Sequence, residues 1–168
     1  MKSEPITPSL SLSSIFGAMD ARREAQVRRE LAKAADQIRV LCTELTTRTS
    51  RPWRSEGLQL DAYPSGQLSI SDYVENDEVT FWVELRPEPD RAPSGTSSPS
   101  CWMVEGRVSV VSDAAIDEGQ DVVYEIPSEV HDSPEAASQG LVKTSTALVR
   151  LALERTPTAA DWRELGSA

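Results

Sequence analysis

The 168-residue chain has little of what most enzyme sites are built from. Histidine occurs once, as His131, and cysteine twice, as Cys42 and Cys101, with no Cys-x-x-Cys spacing. The usual zinc donor sets cannot be assembled from these residues. A triad or a histidine acid–base would have only His131 and its neighbour Asp132 to draw on, and these precede a helix start, where polar loop residues are expected. The eight glycines form neither Gly-x-Gly-x-x-Gly nor Gly-x-x-x-x-Gly-Lys, so no phosphate cradle is present. No serine sits in a Gly-x-Ser-x-Gly elbow. The acidic turn from Asp113 to Gly119 lacks a ligand at the third position of a calcium loop and has glutamate where that loop needs glycine. These absences give no support to a catalytic residue, a metal ligand or a cofactor.

Long apolar runs are also missing, so no segment approaches the ~20 residues a helix needs to cross a bilayer. The first residues include Lys2, Glu4, Pro5 and Pro8 and do not read as a secretory signal, which makes the cytoplasm the expected compartment. Two reduced thiols are then expected rather than a disulfide. Lysine is scarce beside arginine, 3 against 14, a bias that suggests a GC-rich bacterial origin.

What is present is pattern. Residues 1–12, with two prolines and several serines, read as a flexible tail ahead of a single α+β domain spanning 13–165. A helix capped by Ser13 or Ser14 is expected to run through Val27, Leu31, Ala34, Ile38, Leu41 and Leu45, whose spacings of three and four place them on one face. Arg22, Arg29, Lys33 and Asp36 form the opposite, solvated side. Under three heptads of stripe favour packing on the chain's own sheet, and a homodimer through this helix is the alternative.

After Pro52 the period becomes two. Leu58, Leu60 and Ala62, then Leu68 and Ile70, then Val79, Phe81, Val83 and Leu85 predict three strands joined by the turns Pro64-Ser65-Gly66 and Asn76-Asp77. The proline-rich stretch 87–100 is expected to be a mobile loop. Trp102, Val104, Gly106, Val108 and Val110, then Val122, Tyr124 and Ile126, complete a five-stranded, mostly antiparallel meander. Ser133-Pro134-Glu135 starts a C-terminal helix carrying Leu141, Leu148 and Leu151 or Ala152, weakened by Gly140. A short terminal helix bearing Trp162 and Leu165 follows Pro157. This element order resembles that of the small dimeric chaperones of bacterial secretion systems, without a shared motif.

Charge is the remaining signal. Residues 1–55 carry a net +4, residues 56–135 a net −15 and residues 136–168 a net +1, which together give the chain's −10. A strand region this acidic repels nucleic acid and attracts basic protein surfaces, although surface carboxylates also serve solubility. The leading expectation is a non-catalytic protein-interaction module of the immunity, antitoxin or secretion-chaperone type. Its candidate contacts with a basic protein partner are Asp61, Asp72, Glu75, Asp77, Glu78, Glu84, Glu105, Asp117, Glu118, Asp121 and Glu125. A second expectation is a small-molecule-binding domain with a sheet-lined pocket near Trp82 and Trp102, although such tryptophans more often fill a core, and an enzyme of unrecognised type is the third.

Overall fold

The computed structural model describes residues 9–60, 65–74, 77–88, 101–112 and 121–154, the side chains of 9–11, 112 and 121–123 excepted. Helix α1 (Ser9–Phe16) and helix α2 (Ala21–Thr49) precede the strands β1 (Arg54–Leu60), β2 (Gly66–Val74), β3 (Asp77–Pro87), β4 (Trp102–Ser112) and β5 (Asp121–His131), and helix α3 (Pro134–Glu154) follows them. The strands pair antiparallel in sequence order, β1-β2-β3-β4-β5, so the sheet is the expected meander within an α+β domain. Most of the stretch 87–100 and the terminal segment with Trp162 and Leu165 lie outside the described residues.

The start of the chain departs from the expected single helix. Ser13 and Ser14 lie inside α1, and the chain breaks at Gly17, whose φ of +77° is left-handed and easy only for glycine. Helix α2 then restarts with Asp20 as cap, its carboxylate accepting from the Arg23 amide at 2.8 Å. Leu12, Ile15 and Phe16 of α1 are buried in the core. Buried Trp102 fixes that helix by donating its indole N–H to the Ile15 carbonyl at 2.8 Å, with the Phe16 ring 5.9 Å away.

All six stripe residues of α2 are buried, each leucine, isoleucine or valine contributing roughly 1.5–3 kcal/mol by leaving water. Helix α2 lies beside α3 in parallel, held by Arg23–Glu135 at the N-terminal ends, a Thr146–Gln37 hydrogen bond mid-way and Arg48 on the Leu153 carbonyl at the C-terminal ends. The Ser133 hydroxyl accepts from the Ala136 amide at 3.1 Å and caps α3 as its sequence predicts.

Two close approaches press α3 onto β4 and β5. A Cβ at Gly106 would lie 2.8 Å from the Thr144 methyl, and one at Gly140 only 2.3 Å from His131 Nε2. His131 is therefore the last residue of β5 with its ring against α3, not a loop residue, and Gly140 is where that ring fits. The helical propensity lost at Gly140 is the cost of this contact.

Candidate functional site

The three described helices all lie against one face of the sheet. Leu68 and Ile70 of β2, Val79, Phe81, Val83 and Leu85 of β3, and Trp102, Val104, Val108 and Val110 of β4 point to that covered face and are buried. The intervening residues point the other way, where no described element packs. Register sets them in rows: Gln59, Gln67, Glu84 and Glu105; then Ser69, Trp82, Arg107 and Glu125; then Arg54, Ser71, Thr80 and Ser109. At one end stand Arg86, Met103 and Val130, and at the other Tyr73, Glu78 and Val111. Tyr73 is 54% exposed and Val130 41%.

Two features organise this uncovered face. The Arg107 guanidinium lies 3.8 Å from the centre of the Trp82 ring, a cation–π contact made directly across the β3–β4 pair. In the adjacent row Glu84 and Glu105 are direct cross-strand partners. Gln67 donates to Glu84 Oε1 at 3.3 Å, and Arg86 reaches Glu105 only at 4.0 Å. Glu84 is 9% exposed, and burial, with Glu105 beside it, holds its carboxyl above the ordinary glutamate value. Two shallow depressions lie on the same face. One, of about 350 Å³, is formed at the β4–β5 bulge by Glu105, Arg107, Glu125 and Pro127 among others. The larger, about 730 Å³, is lined mainly by Arg54, Ser69, Ser71, Glu78 and Thr80.

The expected contact residues distribute unevenly over this geometry. Glu78, Glu84, Glu105 and Glu125 share the uncovered face. Asp77 sits at the end of β3, in the phase of the covered face and half-buried. Asp72 is a correction: it follows Leu68 and Ile70 on the covered face, is 6% exposed, and has an unpartnered, buried Oδ2. It cannot meet a partner at the surface. Asp121 pairs by its backbone with Val110, its side chain lying outside the description, as do Asp61, Glu75, Asp117 and Glu118 altogether.

The tryptophan pocket is corrected as well. Trp82 lies on the uncovered face and Trp102 on the covered one, so the sheet separates them, and neither lines the two depressions. Sequence reasoning missed Arg107, Tyr73, Met103 and Val130, which join the site through register; the alternation was the available signal for the first three, whereas Val130 reaches this face only through the bulge in β5.

Elsewhere, Glu129 is held below the ordinary glutamate value chiefly by its hydrogen bond from Lys143, and Glu135 likewise by Arg23. Cys42 and Cys101 are free thiols; Cys42 donates to the Trp53 carbonyl at 3.1 Å, and burial raises its pKa. Among the described residues no group of three histidine, cysteine or carboxylate side chains is placed to hold a metal, and no helix is long and apolar enough to cross a membrane. Comparison of the chain with models of protein families, with curated proteins and with solved structures found no match.

Proposed function

We propose that the chain is a non-catalytic protein-interaction module that docks a basic partner protein on the uncovered face of its sheet. The observation that carries this reading is the one-sided packing. Three described helices cover one face; the other carries Trp82 mid-sheet with Glu105 and Glu125 near it, Met103 and Val130 at one end and Tyr73 and Glu78 at the other, while Glu84 is largely buried. Aromatic and methionine side chains interspersed with charged ones are enriched in docking patches. Arg54, Arg86 and Arg107 stand on the same face and offset most of its acidity, although Arg107 is engaged over Trp82 and Arg86 is only loosely paired. What favours a cationic partner over nucleic acid is the net −15 of residues 56–135 as a whole. Immunity proteins, antitoxins and secretion chaperones are bacterial roles that match such a module.

The small-molecule reading is the less favoured one, because Trp102 lies on the covered face and only Trp82 stands beside a depression of the sheet. The test is retention of a partner on the immobilised full chain from the native host, repeated with E105K/E125K and with Asp36→Lys on the helix side. A basic partner lost only with the first variant supports the reading. A partner retained equally by all three forms, or one that is acidic, contradicts it.

A further inference from the structure

We infer that both edges of the sheet are closed to strand addition, so that a partner is held by side chains of the uncovered face and not by a shared ladder. An open five-stranded meander leaves β1 and β5 each with one side that no described strand pairs. Such an edge offers a row of free amides and carbonyls to any extended chain, including another copy of this one. On β1 the row is interrupted at a bulge, where Glu56 and Gly57 stand opposite Ser69 alone and Gly57 takes a φ of +70°. The peptide joining Glu56 to Gly57 is satisfied by the strand's own side chains. Its N–H donates to Ser55 Oγ at 3.3 Å, and its carbonyl accepts from the Gln59 side-chain amide at 2.6 Å.

On β5 the interruption is covalent. Pro127 is exposed and has no N–H to offer, and with Ser128 it forms a second bulge opposite Glu105 alone. A further shift of register falls between Val108 and Ser109 of β4. Toward the end of the strand Lys143 reaches from α3 to Glu129 at 2.6 Å, placing an ion pair along that part of the edge. Each edge is thereby cut into short segments, and an incoming strand could not continue a regular ladder past either bulge. What remains for a partner is the uncovered face, with Trp82, Met103, Glu105 and Glu125. The partner that fits it is a folded surface presenting basic side chains rather than an extended peptide. That consequence rests on the docking reading; closure of the edges does not.

Residue-resolved amide hydrogen exchange of the full chain over a range of concentrations tests closure without any partner. The outward amides of β1 and β5 are expected to exchange at rates that do not change with concentration; protection that grows with concentration on either strand overturns the proposal. Deletion of Gly57, which sets one residue opposite one, and Pro127→Val, which returns an N–H, should each open an edge. The mass from light scattering should then rise with concentration above that of the wild type, with new protection on β1 in the first variant and on β5 in the second. If both variants are folded by circular dichroism and keep the wild-type mass throughout, the bulge and the proline do not close the edges and the proposal fails. Should a variant not fold, the wild-type exchange decides. In the complex with a captured partner, new protection of the outward amides of β1 or β5 would also overturn it. Failure to capture a basic partner, with the edges closed, would strike the docking reading alone.

Discussion

The two faces of this sheet are built from the same strands, one residue out of step, yet their surroundings differ. On the covered face a side chain is fixed by what lies above it: Phe81 beneath the Trp53 ring at 5.7 Å, Trp102 on the Ile15 carbonyl, His131 against Gly140. On the uncovered face a side chain is fixed only by its cross-strand neighbours, as Trp82 is by Arg107 and Glu84 by Gln67. The first kind of environment makes stability; the second leaves side chains available to a partner. Among the described residues each face also holds a buried, unpartnered oxygen, Asp72 Oδ2 under the helices and Ser109 Oγ on the other side.

Substitution of adjacent residues gives the largest contrast. Phe81→Ala should cost about 3–5 kcal/mol in urea unfolding, because it opens a cavity in a packed core. Trp82→Ala, one position along, should cost under about 2 kcal/mol, the loss of a partly exposed stack. Equal losses would break the distinction between the faces.

The His131–Gly140 contact sharpens the picture from the covered side. In an open helical position glycine to alanine stabilises by up to about 1 kcal/mol. Here Gly140→Ala should instead destabilise by about 1–3 kcal/mol through overpacking, and His131→Ala in the same chain should abolish most of that penalty. A stabilising Gly140→Ala in the wild-type background would show that the ring does not sit on the helix.

Acid should act oppositely on the two sides. Glu129 and Glu135, held low by Lys143 and Arg23, contribute stability above the ordinary glutamate value, and this is lost as pH falls through their folded values. Glu84 contributes in the reverse sense, losing its increment as pH rises. Thermal melts from acid to neutral pH should therefore show Glu135→Gln less sensitive to acid than wild type and Glu84→Gln less sensitive to the rise toward neutrality. Identical pH profiles in all three proteins would contradict these assignments.

Much of the fold was legible because it rests on period. The α2 stripe from Val27 to Leu45 and the alternation from Val79 to Leu85 are visible without coordinates and correspond to buried faces. Trp102 keeps step with Val104 and Val108 and Asp72 with Leu68 and Ile70, so phase alone places both on the covered face, although a carboxylate such as Asp72 is ordinarily expected at the surface. Other features were not legible. A one-residue shift of phase at the bulges in β1 and β5 depends on backbone geometry, marked only by Gly57 at φ +70° in the first case. The serine-rich α1 has too few residues to display a helical face, and the fit of His131 onto Gly140 requires two elements to be placed in space.

Charge reversal gives the smallest expected change in stability and the most direct test of the docking reading. E105K/E125K should unfold within about 1 kcal/mol of wild type, since exposed charges contribute little to folding. Association of the captured partner with the full chain, followed at low and high salt, is the measurement to make. The reading predicts a wild-type on-rate that falls with salt, because screening shortens electrostatic reach to about 8 Å at physiological ionic strength, and a much slower, nearly salt-independent on-rate for the reversed variant. An on-rate indifferent both to salt and to the reversals would contradict it and leave the acidic face as a solubility device.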